Sequence, residues 1–353
     1  MNAAAAPPPA PSELATLPPA YFALVMATGI VSIASRLVGL PVIPQALFAL
    51  NLVFYPALWA LTILRAVRHR DRLVADISNH GRGVGFFTMV AATCVLGSQV
   101  LIIGGRPGAA FALWVLGIVL YVVLVYSVFT ALTVKTEKPS LAEGINGGWL
   151  VSVVAAQSVA VLGAQLAPTL QASEGVLFFA LAMWLGGGML YLWIISLIFY
   201  RYTFFTLAPS DLAPPYWINM GAAAISTLAG TMLVGASDHS PVLLQVLPFV
   251  RGLTLMWWAT ATWWIPMLFV LGVWRHVVKR FPLRYDPLYW GAVFPLGMYT
   301  ASTARLAHAV DAPYLATIPA AFIYVALAAW TLAFAGLAAH LGQKLFARPA
   351  TTS

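Results

Sequence analysis

The sequence predicts an all-α membrane protein: ten transmembrane helices built as five helical hairpins, with an inner ring of odd-numbered helices around a pore and an outer ring of even-numbered ones. Three observations lead there. Only 8% of the 353 residues are charged and 61% are hydrophobic, whereas about a quarter of a soluble domain is charged. Apolar runs of about 20 residues, enough to cross a bilayer, recur along the whole chain. The odd-numbered runs begin near 18, 84, 147, 215 and 287, a period of roughly 63 to 72 residues, as repeated hairpins would give.

In chain order, residues 1–17 are rich in Ala and Pro and hold no Lys or Arg. They lack a signal peptide's basic start and read as a disordered tail. The membrane domain covers 18–340, with spans expected at 18–38, 43–64, 84–103, 109–133, 147–166, 174–200, 215–236, 250–276, 287–309 and 314–340. The stretch 241–279 is longer than one crossing needs, so 242–250 is expected to form a separate piece broken at Pro248. A short tail, 341–353, follows.

Lys and Arg set the orientation. Arg65, Arg68, Arg70, Arg72 and Arg82 share one loop, and Arg275, Lys279, Arg280 and Arg284 another. With ten spans these fall on one side together with Lys135, Lys138, Arg201, Lys344 and Arg348, while Arg36 and Arg106 face the other. That side is expected to be cytoplasmic, with both termini inside, in a bacterial-type inner (plasma) membrane. The net charge of +8 is thereby read as topology, not as a nucleic-acid surface. Cys94 is the single cysteine, so there is no disulfide framework.

The two helices of each hairpin differ in composition. The fifth and seventh spans are rich in Gly, Ala, Ser and Thr, and the first and third hold Ala27-Thr28-Gly29 and Gly97-Ser98-Gln99. The sixth, eighth and tenth carry Trp184, Tyr191, Trp193, Trp257, Trp258, Trp263, Trp264, Tyr324 and Trp330. Aromatic helices suit lipid contact, and small-residue helices suit a crowded interior. Small residues serve tight packing equally well without any pore, so composition leaves both readings open.

The ninth span is unlike a plain lipid-facing helix. Phe294 precedes Pro295 and Gly297, and Thr300, Ser302 and Thr303 follow. Pro295 removes a backbone donor and bends the helix, and Gly297 lets a neighbour approach. The expectation is a pore-lining helix with Phe294 as plug. Arg305 lies about 16 Å further along the helix, where a cation at a pore mouth would attract anions or would simply snorkel. Arg251 is a second mouth candidate. His308 has no partner for chemistry and reads as an interface residue. Gly29, Gly97, Gln99, Gln157, Gly230, Thr300 and Ser302 are candidate pore-lining positions; Gln165 and Asn219 are further polar residues in the same class of span.

The acidic residues all fall in loops or at span ends. No carboxylate is placed to relay protons across the middle, which favours passive passage of anions over coupled pumping. His69-Arg70-Asp71 lacks the Asn of a kinase loop, and Gly81, Gly83 and Gly85 follow no strand. No metal-ligand cluster or nucleophile–base pair is present, so neither an enzyme nor a cofactor is expected.

The segment LPPAYFALVMATGIVSIAS (17–35) and the ninth-span segment YWGAVFPLGMYTAS (289–302) resemble the tellurite-resistance/C4-dicarboxylate transporter family. That family includes the plant slow-type anion channels and the fungal malate and sulfite transporters. The resemblance spans about 18–340. It implies a homotrimer with a pore in each subunit, five inner helices around that pore, and a phenylalanine that closes it at the position of Phe294. It implies small inorganic or organic anions as substrates, carried through an anion channel or uniporter. The alternative is a proton-coupled C4-dicarboxylate (malate), sulfite or tellurite-related transporter.

Overall fold

The computed structural model describes residues 12–346. Among these, ten helices are long: α1 (Pro19–Leu37), α2 (Ile43–Arg68), α3 (Gly83–Ile102), α4 (Pro107–Val134), α5 (Gly147–Thr169), α6 (Ser173–Phe204), α7 (Pro214–Gly235), α8 (Leu247–Val278), α9 (Trp290–Ala309) and α10 (Pro313–Lys344). All but α9 are apolar enough to cross a membrane as well as long enough. Pro295, two glycines, the hydroxyl residues, Arg305 and His308 make α9 the least apolar helix of its ring. Four of the ten open on a proline, which loses nothing at a first turn because its missing N–H would be unpaired there. Gly39, at φ +79°, closes α1, and the Leu40 N–H turns back to the Ser35 carbonyl at 2.9 Å, a Schellman ending.

Burial separates the helices into two classes. In α1, α3, α5 and α7, 78–94% of the most apolar stretch is buried; in the even-numbered helices the share is 17–39%. In α9, residues 293–303 are buried without a break. The odd helices close a ring: α1 packs on α3, α3 on α5, α5 on α7, α7 on α9, and α9 back on α1. Each even helix packs on the odd helix before it, so the chain winds as five hairpins around this ring.

One contact recurs from hairpin to hairpin. An aromatic side chain on each outer helix reaches the next inner helix. Tyr55 of α2 meets the Thr93 hydroxyl of α3 (2.8 Å), and Trp114 of α4 donates to the Val159 carbonyl of α5 (3.0 Å). Trp184 of α6 donates to the Ser226 carbonyl of α7 (2.8 Å), and Trp258 of α8 to Thr303 of α9 (3.0 Å). Trp330 of α10 donates to Thr28 of α1 (3.0 Å) and completes the circuit. This corrects the assignment of all outer-ring aromatics to lipid. Trp193, Trp263 and Tyr324 are exposed, but Trp184, Tyr191, Trp257 and Trp264 are buried. A helix has two faces, and an indole or phenol that turns inward carries its own hydrogen-bond donor to the ring.

The ends differ from expectation in three places. Residues 1–11 of the expected tail lie outside the described residues. Its remainder is folded: Glu13–Thr16 forms one helical turn, and the carbonyls of Ala15, Thr16 and Leu17 accept from Arg65 and Arg82, which also pair with Asp76. A short helix, Pro241–Gln245, precedes α8, with the break at Val246 rather than at Pro248. The last helix runs past 340 to Phe346; 347–353 lie outside the described residues.

Candidate functional site

Two cavities lie inside the ring, one toward each end. The first, the larger, opens toward the Arg-rich loops and draws on the first turns of all five inner helices: Ala23, Thr88, Val151, Ile218 and Gly291 line it. The second is far narrower, with room for about one water molecule; it lies toward the opposite end and again draws on all five, through Ile30, Val95, Ser158, Ile225 and Met298. It also holds Arg305 and Gln165. These two residues recur in the wall of an open mouth, with Arg251 and His308.

The lining positions advance by three or four residues, as one face of a helix must. One turn separates the two sets. The residues on the same faces in that turn are Ala27, Ala91, Val154, Ala222 and Phe294. The first four have no accessible surface and Phe294 is 1% exposed. Four small aliphatic side chains and one phenyl ring thus occupy this turn, all of them buried.

The local chemistry of α9 shapes this turn. Pro295 has no N–H for the Gly291 carbonyl one turn back, and Gly291 lines the larger cavity. A Cβ on Gly221 of α7 would sit 2.6 Å from Pro295 Cγ, and one on Gly297 would sit 3.2 Å from the Val31 backbone nitrogen of α1. Both glycines therefore mark close approaches of neighbours to α9.

Most of the other expected lining residues sit elsewhere. Gln99 accepts from Asn51 of α2 at 2.7 Å, and Gln157 donates to the Trp184 carbonyl of α6 at 3.0 Å. A Cβ on Gly29 would meet Val95 and Asn51; on Gly97, Leu162 and Leu113; on Gly230, Thr254 and Trp184. Thr300 and Ser302 return their hydroxyls to the carbonyls of Leu296 and Tyr299. None of these seven lines either axial cavity. The reason is register. Ser98, one position from Gln99, does reach the cavity and donates to Gln165 at 2.7 Å. Long amides buried between the rings find carbonyls and other amides to bond, and that holds them off the axis.

In the sequence Arg201 stands only among the topology charges. At the end of α6 its side chain is folded into the wall of the larger cavity, and the residue is 6% exposed. A basic residue at the end of a span carries no sequence signal that distinguishes this placement from an ordinary interfacial arginine.

The fold and the axial cavities define a polytopic α-helical membrane protein of the transporter and channel class. A family model described as "Voltage-dependent anion channel" matches residues 16–338. The chain belongs to that family, the tellurite-resistance and anion-channel group that its first- and ninth-span segments resemble. It is 27% identical to an uncharacterized transporter of Methanocaldococcus jannaschii, over 81% of this chain and 82% of that one. It is 25% identical to a sulfite efflux pump of Trichophyton rubrum, over 90% and 88%. An uncharacterized membrane protein of Mycobacterium tuberculosis is 41% identical over 44% of this chain and 79% of its own.

Proposed function

We propose that the protein is a passive permease for small anions, which move along the axis of the inner ring and are held back by the Phe294 layer. The observation that carries this reading is the pair of cavities, each lined by all five inner helices, with one buried turn between them. A layer of hydrocarbon side chains stops ions by excluding the water they carry. Arg305 and Arg251 give the smaller cavity's mouth a positive field that gathers anions. No Asp or Glu occurs within α1, α3, α5, α7 or α9, so the axis offers no carboxylate to couple protons to transport. The Arg-rich end faces the cytoplasm of an inner membrane, and the working unit is a homotrimer with one pathway per subunit. The protein is a carrier of ions, not an enzyme.

A second reading narrows the substrate. Fungal relatives named as sulfite efflux pumps align over most of the chain, which favours sulfite among the anions. Purified protein in liposomes, with fluxes of malate, sulfite, chloride and nitrate compared, tests both. Passive flux driven by the anion gradient and independent of pH supports the permease; transport that requires a proton gradient overturns it in favour of a coupled carrier.

A further inference from the structure

The end of the ring toward the Arg-rich loops has a feature that permeation through a hydrocarbon layer does not by itself require. Each inner helix begins with a 3₁₀ turn: Pro19–Phe22, Gly83–Phe86, Gly147–Leu150, Pro214–Trp217 and Pro287–Tyr289. These five turns pack side by side in a closed circle and surround the larger cavity. All five helices thus present their N-terminal ends, the positive end of the helix dipole, to one space. Three of the turns have no side-chain cap.

A buried cation stands in the same wall. Arg201 Nε donates to the Ala142 carbonyl at 2.7 Å, and Nη2 lies 3.1 Å from Asp211 Oδ2. Nη1 is buried and has no hydrogen-bond partner. A guanidinium that is more than nine-tenths buried with a free donor is costly unless something accepts from it. Asp211 is the more exposed partner, and its carboxylate is shared with the Ala208 N–H at 2.8 Å. Glu143 also lines the cavity, but its carboxylate is engaged by the Ser140 N–H and hydroxyl.

We propose that this cavity holds a small anion at Arg201, and that Asp211 is a tethered carboxylate which occupies the guanidinium until an anion displaces it. The inference rests on the permease reading, to which it adds a loading site on the Arg-rich side. The five helix N-termini supply a diffuse positive field, and Arg201 supplies the directed donors. Asp211 keeps the buried cation paired when no ion is bound, so the site need not hold an anion tightly. An anion that leaves readily is what conduction needs.

Chloride is the probe. The ³⁵Cl linewidth of purified protein in detergent, followed against chloride concentration, reads binding without transport. Asp211→Asn removes the internal competitor and is expected to strengthen binding severalfold. Arg201→Gln removes the directed donors and is expected to weaken it by about tenfold, as loss of a charged hydrogen bond of about 1.5 kcal/mol gives. Arg305→Ala, at the opposite mouth, leaves the Asp211-dependent change in place. Weaker binding in Asp211→Asn, or no change in it, overturns the proposal whether or not Arg201→Gln folds. Binding that follows the expected pattern in a protein that passes no anion in liposomes refutes permeation and leaves the site standing. Passage of anions with binding unaffected by Asp211→Asn does the reverse.

Discussion

The Trp330 indole donates to Thr28 Oγ1 at 3.0 Å and joins the last long helix to the first, whose positions are 302 residues apart in the chain. The other four contacts of this kind link a hairpin to the one that follows it. This one closes the circle. Trp330→Phe is expected to cost about 1 kcal/mol, the net worth of one hydrogen bond. Thr28→Val, which keeps the shape and loses the acceptor, should cost a similar amount, and the double variant little more than either single one. Reversible unfolding in detergent checks the cycle. Strictly additive losses would mean that the two side chains act independently.

Gly221 is expected to be intolerant of even one carbon. Its Cβ would lie 2.6 Å from Pro295 Cγ, part of a rigid ring. Gly221→Ala should lower stability by about 1–3 kcal/mol, the usual cost of overpacking. Gly235, in the same helix, has nothing within 4 Å of its Cβ position. Gly235→Ala should leave the melting temperature unchanged or raise it slightly. Equal effects at the two positions would show that α7 and α9 separate readily.

These contacts indicate what could be read from the sequence. The hairpin plan was legible because it is written in composition. Gly, Ala, Ser and Thr gather in alternate spans, since five helices can meet around one axis only with small side chains. The division of work within a span was not legible. Gln99 and Ser98 are neighbours, yet one bonds Asn51 between the rings and the other faces the cavity. That choice turns on helix rotation, about 100° per residue, which a hydropathy pattern apolar on every face does not fix. Trp184 and Trp193 are also alike in sequence, but one is buried against Ser226 and the other is exposed. Arg201 was hidden among the positive charges that any such protein carries on one side.

Orientation is testable at two exposed positions, Arg72 and Arg106. Cys94 is buried, so an impermeant maleimide added to intact cells should react only with introduced thiols. Arg106→Cys is expected to label and Arg72→Cys to label only after the membrane is opened. The reverse pattern would place the Arg-rich loops outside and invert the direction of every flux.

Arg305→Ala is expected to lower anion flux without loss of assembly. The residue lines both the smaller cavity and its mouth, beside Arg251 and His308. A cation there raises the local anion concentration, and salt screens the effect over about 10 Å at 0.1 M. The deficit should therefore be largest at low ionic strength and fade as salt rises. A deficit that salt does not touch would point to a packing role, and no deficit at low salt would mean that the arginine only snorkels.

Phe294 gives the test with the largest contrast. Ala27, Ala91, Val154 and Ala222 occupy the matching turn of the other inner helices and are fully buried, so truncating the ring leaves only small side chains in that turn. Were Phe294 only a core residue, Phe294→Ala would destabilise the protein by about 3–5 kcal/mol and reduce whatever flux there is. As the plug of a hydrophobic constriction, the same change widens the layer, admits water and raises conductance. The two outcomes differ in sign. Phe294→Leu separates them further: it keeps most of the packing volume but not the reach of the ring, so a plug should leak in part while a core residue should tolerate the change. Anion currents at matched surface expression are the measurement. Normally assembled Phe294→Ala protein that conducts no more than wild type would remove Phe294 from the gate and leave the closed turn to be explained by the other four helices.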